Sequence, residues 1–196
     1  MSLTLKPLLG YGKEILSKVL EPGDIAVDAT VGNGHDTLFL ATCTGADGQV
    51  YGFDVQAEAL ASAKARLDEA GVLERVTLWQ AGHEQMGERL AMHRGQVKAV
   101  TFNLGYLPGG DKERVTVTST TLPALEAALD LLAPGGLVTA MLYSGHPQGK
   151  EEAQAVLEWA KGLDQKRAHV LLYQFWNQKN DPPVLLAIEK RNSPST

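Results

Sequence analysis

The stretch Asp28-Ala-Thr-Val-Gly-Asn-Gly-His-Asp36 stands between a short apolar run and an amphipathic segment, which predicts a turn joining a β-strand to an α-helix. Gly32 and Gly34 let the backbone turn tightly and let a ligand approach with no Cβ in the way. In an open parallel sheet, ligands bind at the carboxyl ends of the strands. The turn therefore predicts a ligand site at the end of the first strand.

The rest of the chain alternates between apolar runs and amphipathic stretches. Strands are predicted at residues 25–29, 49–54, 76–80, 97–103, 136–142, 168–175 and 184–189. Helices are predicted after the first turn and at residues 7–20, 56–70, 121–132 and 151–163. Strands and helices alternate through the fifth strand, which indicates parallel strands joined by right-handed crossovers.

The last two strands break this alternation. Residues 177–183 join them and are too few for a crossover helix, so these two strands are expected to be antiparallel. The predicted fold class is α/β, a Rossmann-like, seven-stranded, mainly parallel sheet with an antiparallel terminal strand and helices on both faces.

Length and composition indicate an ordinary globular protein of 196 residues with one cysteine, Cys43. One domain is expected over residues 1–196, with a helical segment at residues 1–22 and a frayed tail at residues 192–196. A lone cysteine forms no intramolecular disulfide, which favours a reducing, cytoplasmic setting. No signal peptide, membrane span or metal-ligand spacing is visible in the sequence.

The first turn also indicates which cofactor it would hold. A dinucleotide fingerprint needs Gly or Ala at position 37, where this chain has Thr37. The carboxylates of Asp28 and Asp36 would repel a pyrophosphate but suit a cationic cofactor such as S-adenosylmethionine. Asp54 ends the second strand, where an acid would accept both ribose hydroxyls, as it also would with NAD. S-adenosylmethionine is therefore favoured over a nicotinamide cofactor.

Five segments together resemble the putative rRNA methylase family (the YtqB/MnmM type) of class I S-adenosylmethionine-dependent methyltransferases, over essentially the whole chain. They are Asp28-Ala-Thr-Val-Gly-Asn-Gly-His-Asp-Thr-Leu-Phe-Leu40, Gly52-Phe-Asp-Val-Gln56, Phe102-Asn-Leu-Gly-Tyr-Leu-Pro-Gly-Gly-Asp-Lys112, Gly145-His-Pro-Gln-Gly-Lys150 and Gln178-Lys-Asn-Asp-Pro-Pro183. The resemblance implies methylation of the aminomethyl group of 5-aminomethyl-2-thiouridine at the tRNA wobble position (U34), giving the methylaminomethyl form. It also implies that the partner is the tRNA anticodon arm.

Two positions depart from the pattern of the wider superfamily. Thr30 stands where a glycine is usual, and residues 80–83 offer no Asp for the adenine amino group. His83 or a nearby backbone carbonyl would have to replace that acid, so the adenine contacts are left open.

The end of the fourth strand, Asn103-Leu-Gly-Tyr106, is similar to the Asn/Asp-Pro-Pro-Tyr/Phe segment of amino-group methyltransferases. An amine attacks only through its lone pair, so acceptors must hold its N–H bonds, and the Asn103 side-chain oxygen and the Leu104 carbonyl suit this. Tyr106 can stack on the uracil ring. Asp111 is the nearest general base in sequence, with His146 and Asp36 as rivals, and positioning without a base is the alternative.

The expected site residues fall into three sets. The catalytic set is Asn103, Tyr106 and Asp111. The cofactor set is Asp28, Thr30, Gly32, Asn33, Gly34, Asp36, Thr37, Asp54, Gln56, His83 and Asn103. The substrate set is Gly105, Tyr143, His146, Gln178 and Asn180.

The net charge of −5 excludes a non-specific binder of long nucleic acids, which would normally be basic. With three carboxylates assigned to a cationic cofactor, the remainder is close to neutral and fits recognition of one exposed base through a few basic contacts. A homodimer would give so small a domain more surface to hold an anticodon arm. The alternatives are methylation of another RNA or of a small-molecule amine, a nicotinamide oxidoreductase, and a non-catalytic cofactor-binding module.

Overall fold

The computed structural model describes residues 4–105, 116–145 and 147–192. The strands are β1 Ile25–Asp28, β2 Gln49–Asp54, β3 Val76–Gln80, β4 Val97–Leu104, β5 Leu132–Leu142, β6 Ala168–Tyr173 and β7 Val184–Lys190. The helices of four or more residues are α1 Leu8–Val19, α2 His35–Thr44, α3 Ala57–Glu69, α4 Met86–Arg89, α5 Thr118–Leu131 and α6 Pro147–Lys161.

The strands form one seven-stranded sheet in the order β3-β2-β1-β4-β5-β7-β6. All neighbours are parallel except β7, which runs antiparallel to both β5 and β6. The predicted fold class is therefore confirmed, including the antiparallel final pair. The carboxyl ends of β1 to β6 lie along one edge of the sheet, and the first residue of β7 pairs with the last residue of β5.

Helices cover both faces of the sheet because neighbouring residues of a strand point to opposite faces. Val27 of β1 lies in a core with residues of α5 and α6, whereas Ala26 lies in a second core with residues of α1, α2 and α3. Both residues have no exposed surface. This two-sided burial explains why the strands read as continuous apolar runs.

The two largest differences from the predicted boundaries are at the starts of β5 and α6. β5 begins at Leu132 rather than at residue 136, with a register shift around Pro134, because Val97 pairs with Leu132 and Ala99 with Leu137. The helix predicted at residues 151–163 begins at Pro147, since proline is well accommodated in the first turn of a helix. Between β3 and β4 the longest helix is only the four-residue α4.

The helices of the described segments include none that is long and apolar enough to cross a membrane.

Candidate active site

A cavity of about 420 Å³ opens at the carboxyl ends of β1, β2 and β4. This volume lies in the range of small-molecule sites. Seven of the expected cofactor and substrate residues line it, namely Thr30, Gly32, Asp54, Gln56, His83, Asn103 and Gly105. Sequence reasoning missed the other lining residues, which are Ala29, Phe53, Val55, Ala81, Gly82, Glu84, Thr116, Val117 and Thr120.

The turn after β1 is held from below by two residues that do not line this cavity. Asp28 and Thr37 are fully buried, and the Thr37 hydroxyl donates a hydrogen bond of 2.6 Å to Asp28 Oδ2. The Thr30 N–H donates to the other Asp28 oxygen at 3.1 Å. Gly34, at φ +78°, lies so close to α3 that a Cβ there would be 2.8 Å from Ala63 Cα. Asn33 belongs to the same turn, and its carbonyl accepts a hydrogen bond from Arg66 at 2.8 Å.

The buried carboxyl of Asp28 is a weaker acid than an ordinary aspartate side chain. Burial, together with the nearby negative charge of Asp36, raises the pKa of Asp28 from 3.8 to about 7. A cationic ligand close to these carboxyls would favour the ionised form. The base of the turn is therefore electrostatically suited to positive charge.

Asp54 connects the end of β2 to the first turn. Its Oδ2 accepts the Gly32 N–H at 2.8 Å, and its Oδ1 accepts the Gln56 N–H at 2.9 Å. A carboxylate oxygen has two lone pairs, so each oxygen keeps one acceptor site after these bonds. Asp54 can therefore receive two ribose hydroxyls while it holds the turn in place.

The segment after β3 supplies a buried histidine and a carboxylate. His83 is only 6% exposed, and its ring donates a hydrogen bond to the Ala29 carbonyl. Burial lowers the pKa of His83, which favours the neutral ring. Glu84 lines the cavity, and its carboxylate lies against Gly82 in space that a side chain there would fill. Glu84 thus places an acid on the wall where the sequence offered no Asp.

A buried carboxylate, Glu152 of α6, lies behind the same wall. Glu152 is 2% exposed and accepts hydrogen bonds of 2.5 Å from the hydroxyls of Thr116 and Thr121. The Thr121 hydroxyl also lies 3.5 Å from His83 Nε2. This network was not foreseen, because a glutamate on an amphipathic helix is normally a solvent-exposed residue.

Asn103, near the end of β4, is fixed through both its backbone and its side chain. Its backbone N–H donates to Thr30 Oγ1 at 2.7 Å. Its side-chain Nδ2 donates to Asp36 Oδ2 at 2.7 Å, and Asp36 Oδ1 forms an ion pair of 3.0 Å with Lys13 of α1. Asp36 therefore lies behind Asn103 instead of lining the cavity.

The expected substrate residues fall in two places. Gly105 lines the cavity, and a Cβ there would lie 3.3 Å from the Cβ of Tyr143. The Tyr143 N–H donates to the Leu104 carbonyl at 3.2 Å, and burial raises the pKa of the Tyr143 hydroxyl. Gln178 and Asn180 are exposed in the connection between β6 and β7, apart from the cavity wall. Tyr106, Asp111 and His146 lie outside the described residues.

A further exposed residue occurs in the connection between β6 and β7. Trp176 is 89% exposed, which is unusual for so large an apolar side chain. No sequence pattern marks Trp176 as exposed, because an aromatic residue next to a strand normally packs into the core.

Within the described part of the chain, no three His, Cys, Asp or Glu side chains come together as a metal site.

Comparison with known proteins assigns the family. The model of the putative rRNA methylase family matches residues 50–189. The chain is 38% identical over 186 residues to the tRNA (mnm5s2U34)-methyltransferase of Arabidopsis thaliana, a chloroplastic protein, covering 91% of this chain and 68% of that protein.

Two solved structures are similar over nearly the whole chain. A putative rRNA methylase from Clostridium thermocellum has a TM-score of 0.92 at 45% identity, covering 96% of this chain and 100% of the other. A putative methyltransferase from Streptococcus mutans, solved in complex with SAH, has a TM-score of 0.86 at 38% identity, covering 95% and 99%. The chain belongs to the putative rRNA methylase family and is a methyltransferase with the S-adenosylmethionine-dependent class I fold, as its sequence predicted.

Proposed function

We propose that this chain transfers the methyl group of S-adenosylmethionine to the amino nitrogen of 5-aminomethyl-2-thiouridine at the wobble position (U34) of tRNA. The observation that carries the proposal is the position of Asn103, an amide hydrogen-bond acceptor on the wall of a cavity suited to the cofactor. The similarity to a plant tRNA methyltransferase supports the choice of substrate.

The cavity residues fit the cofactor. Asp54 has an acceptor site left on each oxygen for the two ribose hydroxyls, and Glu84 is placed to accept from the adenine amino group. Gly32 contributes backbone atoms to the cavity wall, and Thr30 also lines it. When bound, S-adenosylmethionine supplies a methyl group on a positively charged sulfur, and the Asp28 and Asp36 carboxyls below the turn favour that charge.

Asn103 would hold the reacting amine. Its side-chain oxygen can accept one N–H bond and so direct the nitrogen lone pair into the cavity. Orientation of this kind supplies about 7–11 kcal/mol of the barrier reduction in a well-held pair. Tyr106 as a stacking residue and Asp111 or His146 as a base remain predictions. Asp36 suits the role of base less well, because its oxygens face Lys13 and Asn103 and it does not line the cavity.

The anticodon arm would approach over the connection between β6 and β7. This connection exposes Trp176, Gln178 and Asn180 next to the end of β5, where Tyr143 follows. Exposed aromatic side chains stack on unpaired bases, and amides bond to base edges. We place the reaction in the cytoplasm, and a homodimer stays a prediction.

The test is incubation of the purified protein with isotopically labelled S-adenosylmethionine and two matched tRNAs, followed by mass spectrometry of the nucleosides. One tRNA carries 5-aminomethyl-2-thiouridine at the wobble position, and the other carries 2-thiouridine there. The proposal predicts labelled methylaminomethyl-thiouridine from the first tRNA and no methylation of the second. Equal labelling of both, or labelling of neither, would refute the proposed substrate.

A further inference from the structure

Asp36 stands between the N-terminal helix and Asn103, and its two oxygens have different partners. Oδ1 faces the Lys13 ammonium at 3.0 Å, and Oδ2 accepts a hydrogen bond from Asn103 Nδ2 at 2.7 Å. The two charged side chains are partly shielded from solvent: Asp36 is 20% exposed and Lys13 is 39% exposed. The three residues therefore form a continuous chain of hydrogen bonds that ends in the active site.

The chemistry of this chain determines which way the Asn103 amide points. An ionised carboxylate only accepts hydrogen bonds, so the amide group turned toward Asp36 must be the NH₂. The backbone of Asn103 is held separately by its bond to Thr30 Oγ1. Its side-chain oxygen is then the atom left for a ligand, and Asn103 lines the cavity.

We propose that Asp36, held in place by its ion pair with Lys13, is a positioning residue that fixes the Asn103 amide with its oxygen available to the substrate amine. This inference rests on the proposed function for the identity of the amine. With the opposite orientation, the Asn103 NH₂ group would face the N–H groups of the substrate amine. Both groups are donors, so no hydrogen bond could form between them. Asp36 thus acts through Asn103 and does not need to touch the substrate.

Packing contacts hold the N-terminal helix in a position from which Lys13 reaches Asp36. Gly12 packs against Leu185 of β7, and the Tyr173 hydroxyl donates to the Lys6 carbonyl at 2.9 Å. The Lys13 ammonium also lies 5.3 Å from the centre of the Phe39 ring of α2. A segment outside residues 50–189, the region of the family match, therefore contributes to the active site.

The substitution Asp36→Asn tests the mechanism because it should reverse the amide. Lys13 donates only, so it would bind the oxygen of the new side chain and leave its NH₂ facing Asn103. Asn103 would then turn its own oxygen toward residue 36. We expect kcat on the aminomethyl tRNA to fall about 10- to 100-fold, the value of one or two hydrogen bonds to a charged group. The affinity for S-adenosylhomocysteine should change only a few-fold.

The double variant Lys13→Met with Asp36→Asn separates this role from a merely structural one. Without the Lys13 ammonium, the new asparagine can present its oxygen to Asn103, so kcat should recover most of the loss. A structural defect would instead grow with the second substitution. Lys18→Met is the matched control, because Lys18 lies on the same helix in an ion pair with Glu14 at 2.9 Å and should leave every kinetic constant unchanged.

Two kinetic outcomes would overturn the inference. These are wild-type kcat in Asp36→Asn, and failure of Lys13→Met to raise kcat in that background. Nuclear magnetic resonance of the Asn103 side-chain amide gives a readout that needs no tRNA. Its NH₂ protons should exchange slowly with water in the wild type and rapidly in Asp36→Asn. If the wild type methylates no tRNA, the proposed function fails, and unchanged exchange in Asp36→Asn would refute the role of Asp36 separately.

Discussion

The turn after β1 and the connection after β6 lie at the same edge of the sheet but are built in opposite ways. In the turn, Asp28 is fully buried and both of its oxygens accept hydrogen bonds from within the protein. In the connection, Trp176 is 89% exposed, and Asn180 and Asp181 adopt positive φ values of 66° and 45°. Ser144 ties the connection to the rest of the fold by donating to the Asp181 carbonyl at 3.1 Å.

This contrast indicates that the two regions are suited to different ligands. A small cofactor needs a wall of fixed geometry, and the turn after β1 supplies one through buried hydrogen bonds. A large RNA partner needs exposed side chains that can reach bases, and the connection after β6 offers these. Substitutions in the first region should therefore alter stability and cofactor binding, and those in the second should alter tRNA binding alone.

The largest effect is expected from Gly34→Ala. The new Cβ would lie 2.8 Å from Ala63 Cα, on a backbone at φ +78°. Strain and overpacking together should lower the free energy of unfolding by about 2–5 kcal/mol and weaken cofactor binding. Gly95→Ala is the matched control, because its φ of +76° is similar and nothing lies within 4 Å. Urea unfolding of the two variants checks this, and equal losses would mean that the turn is not tightly packed.

A pH dependence should follow from Asp28. Its pKa is raised from 3.8 to about 7 in the folded protein, so the folded state retains a proton that the unfolded state loses. Stability should therefore decrease as the pH rises from about 4 to 7 and level off above that, by an amount on the order of 2–3 kcal/mol between pH 5 and 8. Asp28→Asn should remove this slope in urea unfolding without cofactor. Parallel profiles for the two proteins would contradict the assignment.

Asp54→Asn tests cofactor binding separately from binding of the substrate amine. It replaces one acceptor oxygen with an NH₂ group beside backbone N–H donors, so the ribose contacts should weaken. Titration calorimetry should give an affinity for S-adenosylhomocysteine about 10- to 100-fold lower. Asp47→Asn, at an exposed position before the same strand, should leave the affinity unchanged. Loss of kcat at saturating cofactor would show instead that Asp54 acts beyond the cofactor.

The smallest effect is expected in the exposed connection. Trp176→Ala removes a ring that is 89% exposed, so the unfolding midpoint should hardly change. If the ring stacks on a base, KM for tRNA should rise about 5- to 30-fold, because one stack is worth about 1–2 kcal/mol. Trp176→Phe keeps an aromatic face and should recover most of this loss. An unchanged KM in Trp176→Ala would exclude the connection from the tRNA surface.

The same contrast explains what the sequence could predict. The turn after β1 requires a glycine at position 34, where the backbone approaches α3, and it places acids at strand ends. Both features can be recognised in the sequence. The parallel direction of the first five strands follows from alternating strands and helices, and the antiparallel pair follows from a short connection. The family is confirmed by the match of its model to residues 50–189.

Other parts of the site depend on contacts between residues far apart in the chain. Lys13 reaches Asp36 only because α1 packs on the sheet, and Glu152 meets Thr121 only because α6 packs beside α5. Neither pairing has a local sequence signal. Five residues of the expected cofactor set do not line the cavity, namely Asp28, Asn33, Gly34, Asp36 and Thr37.

The most direct test of the account measures kcat and cofactor affinity together in Asn103→Ala. If the Asn103 side-chain oxygen holds the substrate amine, kcat on the aminomethyl tRNA should fall about 100- to 1,000-fold at saturating cofactor. The affinity for S-adenosylhomocysteine, measured by calorimetry, should stay within a few-fold of the wild type. A large loss of that affinity, with turnover restored at high cofactor concentration, would make Asn103 a cofactor ligand and contradict the account.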